Sequence, residues 1–317
     1  MRIAPMFWAA SLLTGFAAVA ASAQQTAPPV DEIVVTAERT GPGMWHVHRG
    51  AANVWILGSI SPLPRDMTWR SKQVESVLES TSQVLVQKPI EISVPRILWM
   101  LIADRKVLMV GGGKKLKDVE PPDLHARFAA QRSKVTDDKD KWERYRPIIA
   151  TAFLQQAAFH QVNLSMRVDL GAALRLLAKK HGVRIEEVKV AGVSDMLDAL
   201  KTMPPATERT CVEASLSMLE SGLPRLVDRA QAWASGNVER IENMPELKEV
   251  DACRNALDAG KGASDVISRI RLTWLDNIER YLHSDGTTIA VVNLDLLLER
   301  GGLLDGLRAK GYEIDAP

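Results

Sequence analysis

Only two cysteines and six histidines occur in 317 residues. That scarcity excludes a dense disulfide scaffold and a cysteine-rich zinc module. Charge of one sign is equally missing: 40 Lys and Arg face 39 Asp and Glu, for a formal net charge of +1. Such a balance leaves no electrostatic footprint for a nucleic-acid partner. The short run Lys114-Lys115-Leu116-Lys117 reads as a solvated loop. Past the N-terminal segment no apolar run is long enough to cross a bilayer. The glycines Gly111-Gly112-Gly113 lack both the Gly-x-Gly-x-x-Gly spacing and a following Lys-Ser/Thr, so no nucleotide loop is present. The Gly-x-Ser-x-Gly elbow of a serine hydrolase is absent as well, and no solenoid period repeats.

What is present begins with a signal-like start. Arg2 supplies a positive end, residues 7–19 are apolar, and Ala21-Ser22-Ala23 fits an A-x-A cleavage site. Residues 1–23 are expected to be a signal peptide, with a mature start at Gln24 and a periplasmic or secreted product. An uncleaved anchor is the competing reading. Residues 24–43 form a flexible linker rich in Gln, Thr, Pro and Gly. Within it lies Val30-Asp31-Glu32-Ile33-Val34-Val35-Thr36-Ala37-Glu38-Arg39, which resembles the TonB box of outer-membrane receptors. A β-branched peptide on a tether can add a strand to a partner's sheet edge. Asp31, Glu32, Ile33, Val34, Val35, Thr36 and Ala37 are thus candidate contacts to a TonB-like periplasmic protein. The alternative is a β-prone segment without a partner.

The folded part is expected to run from 44 to 317. Trp45 and Val47 alternate with His46 and His48, which predicts a strand with one buried face. The two histidines can point the same way, but no third metal ligand stands beside them in sequence. Gly50-Ala51-Ala52-Asn53 reads as a hairpin turn. Val54-Trp55-Ile56-Leu57 then forms a buried strand ending at Gly58-Ser59-Ile60-Ser61, the kind of strand end where open α/β sheets place ligands. Residues 69–80 and 82–86 continue as helix and strand, and 97–102 as an apolar helix against the sheet. Later segments are mostly helical (142–162, 170–181, 193–201, 208–221, 223–235, 238–244 and 264–282). Strands are expected at 183–190 and 287–292, and a closing helix at 302–311. Cys211 and Cys253 lie in helical stretches outside the sheet. Export makes a bridge between them permissible, with two buried thiols as the alternative.

Taken in order, these segments resemble the TraB/GumN family, whose animal relatives are the Tiki proteases. The resemblance rests on Trp45-His46-Val47 leading to Val54-Trp55-Ile56-Leu57-Gly58-Ser59-Ile60, then Tyr145-Arg146-Pro147 and Val168-Asp169-Leu170. It continues through Ala232-Trp233-Ala234-Ser235-Gly236-Asn237, Trp274-Leu275-Asp276-Asn277-Ile278 and Gly302-Leu303-Leu304 with Lys310-Gly311-Tyr312. Family members held to be active are similar to metal-dependent peptidases. They carry Gly-x-x-His after the first core strand, glutamates at later strand ends, and a second His in a Gly-rich C-terminal loop. Imidazole and carboxylate would hold the cation that activates water. Here Gly58 is kept, but the first His position is Ser61. The glutamate positions fall on Gln87 and Ala191, and the second His position on Leu296.

The resemblance implies an α/β fold: a mixed central sheet with flanking helices and a largely helical central insertion. Ser61, Gln87 and Leu296 are expected around one concavity at the strand ends, with strand 287–292 beside strand 54–57. The expected function is an exported, catalytically degenerate protein that binds a peptide, another ligand or a protein, with no cofactor. One alternative is a hydrolase with replacement ligands for a divalent metal, for which Glu91, Asp295 and Glu299 are the nearby carboxylates. A Ser-His dyad joining Ser59 or Ser61 to His125 or His160 is a further option.

Overall fold

The computed structural model describes residues 41–317, apart from 70, 71, 91, 92, 167, 169, 245 and 246. The signal-like segment and the TonB-box-like Asp31 to Ala37 lie outside the described residues. Eight strands occur among those described: β1 (Met44–Arg49), β2 (Ala52–Ser59), β3 (Leu63–Pro64), β4 (Thr81–Gln87), β5 (Leu164–Ser165), β6 (Arg184–Val188), β7 (Gly286–Asn293) and β8 (Glu313–Asp315). Six of them form one sheet in the order β6-β4-β7-β2-β1-β8, while β3 and β5 pair separately.

The sheet is mixed. β1 and β2 form an antiparallel hairpin, whereas β2, β7, β4 and β6 run parallel. As expected, β7 returns directly beside β2. The hairpin loop is tighter than the four residues read from sequence. It is the pair Gly50-Ala51, with Gly50 at φ +66° and Ala52 and Asn53 already in β2. Central strands read as apolar runs because helices cover both faces. Val54, Ile56, Leu57, Val84, Leu85, Ile289, Ala290 and Val292 are all fully buried.

Two hydrophobic cores result. One joins the sheet to helices Lys72–Glu79, Leu170–Lys180, Lys261–Leu282 and Leu303–Ala309 through Val74, Leu174, Trp274, Ile278 and Leu307. The other is largely helical and packs Phe128, Leu154, Phe159, Val212 and Leu216 from helices Pro122–Val135, Pro147–Gln161 and Pro205–Ser217, with Leu164 of β5 added. This is the expected central insertion. Cys211 and Cys253 are bonded and tie helix Pro205–Ser217 to helix Leu247–Asp258.

Three segments differ from their sequence patterns. The helix expected from 142 begins at Pro147, since proline's fixed φ and missing N–H suit the first helical position. The apolar helix Val94–Ala103 turns several large side chains to solvent; Val94, Trp99 and Ile102 are 69, 59 and 75 % exposed. Residues 294–298, where the family's Gly-rich stretch was expected, form a short helix instead.

Candidate functional site

Parallel pairing brings four strand termini to one edge of the sheet. Ser59 ends β2 opposite Asn293, which ends β7. Gln87 ends β4 opposite Val188, which ends β6. Ser61 follows β2 by two residues, Ala191 follows β6 by three, and Leu296 follows β7 by three. With strands about 4.8 Å apart, four neighbours span roughly 14 Å. This is the carboxyl edge at which open α/β sheets bind ligands.

Gly58 is required by close approach. A Cβ there would stand 2.6 Å from Leu294 Cδ1 and 3.0 Å from Trp45 Cζ3. Trp233 Nε1 donates 2.7 Å to the Gly58 carbonyl, satisfying a buried acceptor at the strand end. The TraB/GumN-like segment around Trp233 therefore supports the loop mechanically. Gly236, at φ +70°, and Asn237, whose side chain accepts from Arg240 N, end one helix and start the next.

Several polar groups at the edge are occupied internally. Ser59 Oγ donates to the Val292 carbonyl at 3.2 Å, and Ser61 Oγ to Met166 Sδ at 3.4 Å. Arg175 donates to the Gln87 backbone carbonyl at 2.8 Å. Asn293 accepts from Asp295 N and Leu296 N, capping the short helix that carries Leu296. Neither serine hydroxyl donates to a histidine, and His125 faces Glu143 at 2.9 Å. Among the described residues, then, neither Ser59 nor Ser61 is paired with His125.

The carboxylates considered as replacement ligands are also engaged. Asp295 accepts from Arg229 at 2.6 Å, and Glu299 from Arg271 at 2.5 Å. Arg254 stands 3.9 Å from each. They border a cavity of about 660 Å³ with Arg254, Arg271 and Arg300, surroundings that already neutralise them and disfavour a bare cation. Glu91 lies outside the described residues. A hydroxyl, an amide, a methyl and an isobutyl group at Ser61, Gln87, Ala191 and Leu296 do not fit the family's metal.

A second cavity, of about 680 Å³, borders the same loop through Met166. Trp142, Phe153, Gln156, His160 and Arg65 help line it. Phe153 and Met166 are exposed. Two non-glycine residues with left-handed backbones belong to this neighbourhood: Trp142 at φ +68° lines it, and Asn163 at φ +60° accepts from Arg65 N. A bulky residue in that conformation is held there by its surroundings.

The profile of the TraB/PrgY/gumN family matches residues 43–316. The chain belongs to this family. Comparison with curated proteins and with solved structures found no match. The TraB/PrgY/gumN segment thus coincides with the folded part, from the residue before β1 to the residue after β8.

Sequence reasoning missed one cluster. His46 and His48 do have a third potential ligand beside them: Asp315, brought in by β8. Their separation by hundreds of positions hid the contact. The only available signal was a β-prone C-terminal segment with an acidic residue.

Proposed function

We propose that this protein is an exported TraB/GumN-like domain that has lost the family's metal-dependent peptidase chemistry and acts by binding. One observation carries the reading. The strand-end positions where imidazole and carboxylate ligands would stand hold Ser61, Gln87, Ala191 and Leu296.

The cavity beside Ser61 and Met166 offers the chemistry of a peptide site. Trp142, Phe153 and Met166 suit apolar side chains, and Gln156 offers an amide for a peptide backbone. Exposed Val94, Trp99 and Ile102 favour additional contact with a protein. The linker segment from Asp31 to Ala37 adds a docking strand for a TonB-like periplasmic protein.

A peptide-library screen tests the loss of chemistry, run with and without added divalent metal. The expected result is binding without cleavage. Metal-dependent cleavage that disappears in Gln87→Ala would overturn the proposal and favour a hydrolase with replacement ligands.

A further inference from the structure

We propose that His46, His48 and Asp315 form a binding site for a divalent transition-metal ion, distinct from the degenerate strand-end site. His46 and His48 lie on the same face of β1, because alternate strand residues share a face. β8 pairs antiparallel with β1 and sets Asp315 opposite His46. Asp315 Oδ2 lies 3.2 Å from His46 Nδ1 and 3.3 Å from His48 Nε2. All three donor atoms lie within 4.8 Å of one another. Tetrahedral ligands about 2.0 Å from a zinc ion are themselves roughly 3.3 Å apart, so the two measured separations match edges of such a coordination sphere.

The hydrogen bonds around His46 make the case independently of proximity. Asn53 Nδ2 donates to the Ala51 carbonyl at 2.8 Å, an acceptor that fixes which way the amide points. Asn53 Oδ1 is then left 2.7 Å from His46 Nε2, which must be the ring's N–H. In the neutral ring Nδ1 therefore carries a lone pair, aimed at a carboxylate oxygen that also only accepts. A cation between them resolves this conflict. A metal-bound histidine commonly donates its other N–H to a fixed acceptor, as His46 does to Asn53. Trp55 stacks on the His46 ring at 4.3 Å and 14°, locking its orientation.

Two imidazoles and one carboxylate select zinc, nickel or copper over calcium or magnesium. The histidines are partly exposed and Asp315 more so, which leaves the fourth position to water. Glu313 stands opposite His48 in register. Because β8 meets β1 through three paired positions only, a metal here would also fasten the C-terminal strand to the sheet.

Zinc competition against a chromophoric indicator tests the site on the chelator-treated full chain without an affinity tag. One zinc per chain is expected. His48→Asn should weaken binding by roughly tenfold or more, and Asn53→Ala by about tenfold through the released ring. Asp295→Asn should leave it unchanged, separating this site from the strand-end acids. On the unaltered chain, zinc should move the ¹⁵N imidazole resonances of His46 and His48. Zinc binding undiminished in His48→Asn would overturn the proposal. So would imidazole resonances that zinc does not move, the signature of a charged His46–Asp315 pair that needs no metal.

Discussion

Glu143 is nearly fully buried in the helical lobe, with Arg132 and His125 both hydrogen-bonded to the same carboxylate oxygen. Burial alone would raise its pKa, but hydrogen bonds and charge from His125 and Arg132 outweigh it and hold the carboxyl below its ordinary 4.5. The sign follows by linkage. A carboxyl depressed on folding contributes its full stabilisation above that ordinary value, and loses it as pH falls through the lower folded value. Glu143→Gln should therefore lower stability at neutral pH by roughly 2 kcal/mol. It should also flatten the acid limb of denaturant-measured stability below pH 4.5. An unchanged acid limb would assign the acid response to other carboxylates. This triad was not legible in the sequence, where His125 and Glu143 are ordinary residues 18 positions apart. The family anchor Tyr145-Arg146-Pro147 was visible, although its cause was not. Arg146 Nε and Nη2 grip Glu208 at 2.8–3.0 Å, and Glu208 also accepts from Ile148 N at the start of the long helix. Local pattern reveals such a helix start, whereas the partner that holds it comes from another helix.

At the scale of elements, periodicity was informative where one face is buried and misleading where apolar character serves another purpose. The alternation of Trp45 and Val47 gave β1, and the apolar runs gave β2, β4 and β7. The short β3, β5 and β8 carry too few residues for any period. The apolar helix Val94–Ala103 matches the pattern of a core element yet leaves Val94, Trp99 and Ile102 exposed. The helices near the two cysteines present a different case, because a covalent bond supplements their packing. Cys211 and Cys253 close a loop with a sequence separation of 42. On the chain-entropy account a loop of this size restrains the unfolded state by about 4 kcal/mol. Reduction, or a Cys211→Ala/Cys253→Ala double variant, should therefore lower Tm by several degrees. Thiol titration of the denatured, unreduced protein should find none free, and two after reduction. Titration of two thiols before reduction would show that the bond does not form.

At the scale of the whole molecule, among the described residues both cores, the sheet and the disulfide are drawn from residues 44 onward. The family match likewise starts at residue 43. The segment from Asp31 to Ala37 lies outside both the family match and the described residues, and its proposed role rests on its sequence. A β-branched stretch on a tether can supply backbone donors and acceptors to another sheet, which is the physics of strand addition. On the docking proposal the segment is also dispensable for stability, because burial of apolar side chains in the two cores supplies the driving force for folding. These two statements separate experimentally. Removing residues 31–39 should abolish binding to an isolated TonB domain while leaving Tm within about a degree, since ΔΔG near zero shifts it little. Retained TonB binding would remove the docking role. A fall in Tm of several degrees would place the segment within the folded unit, where its β-branched residues would serve packing rather than a partner.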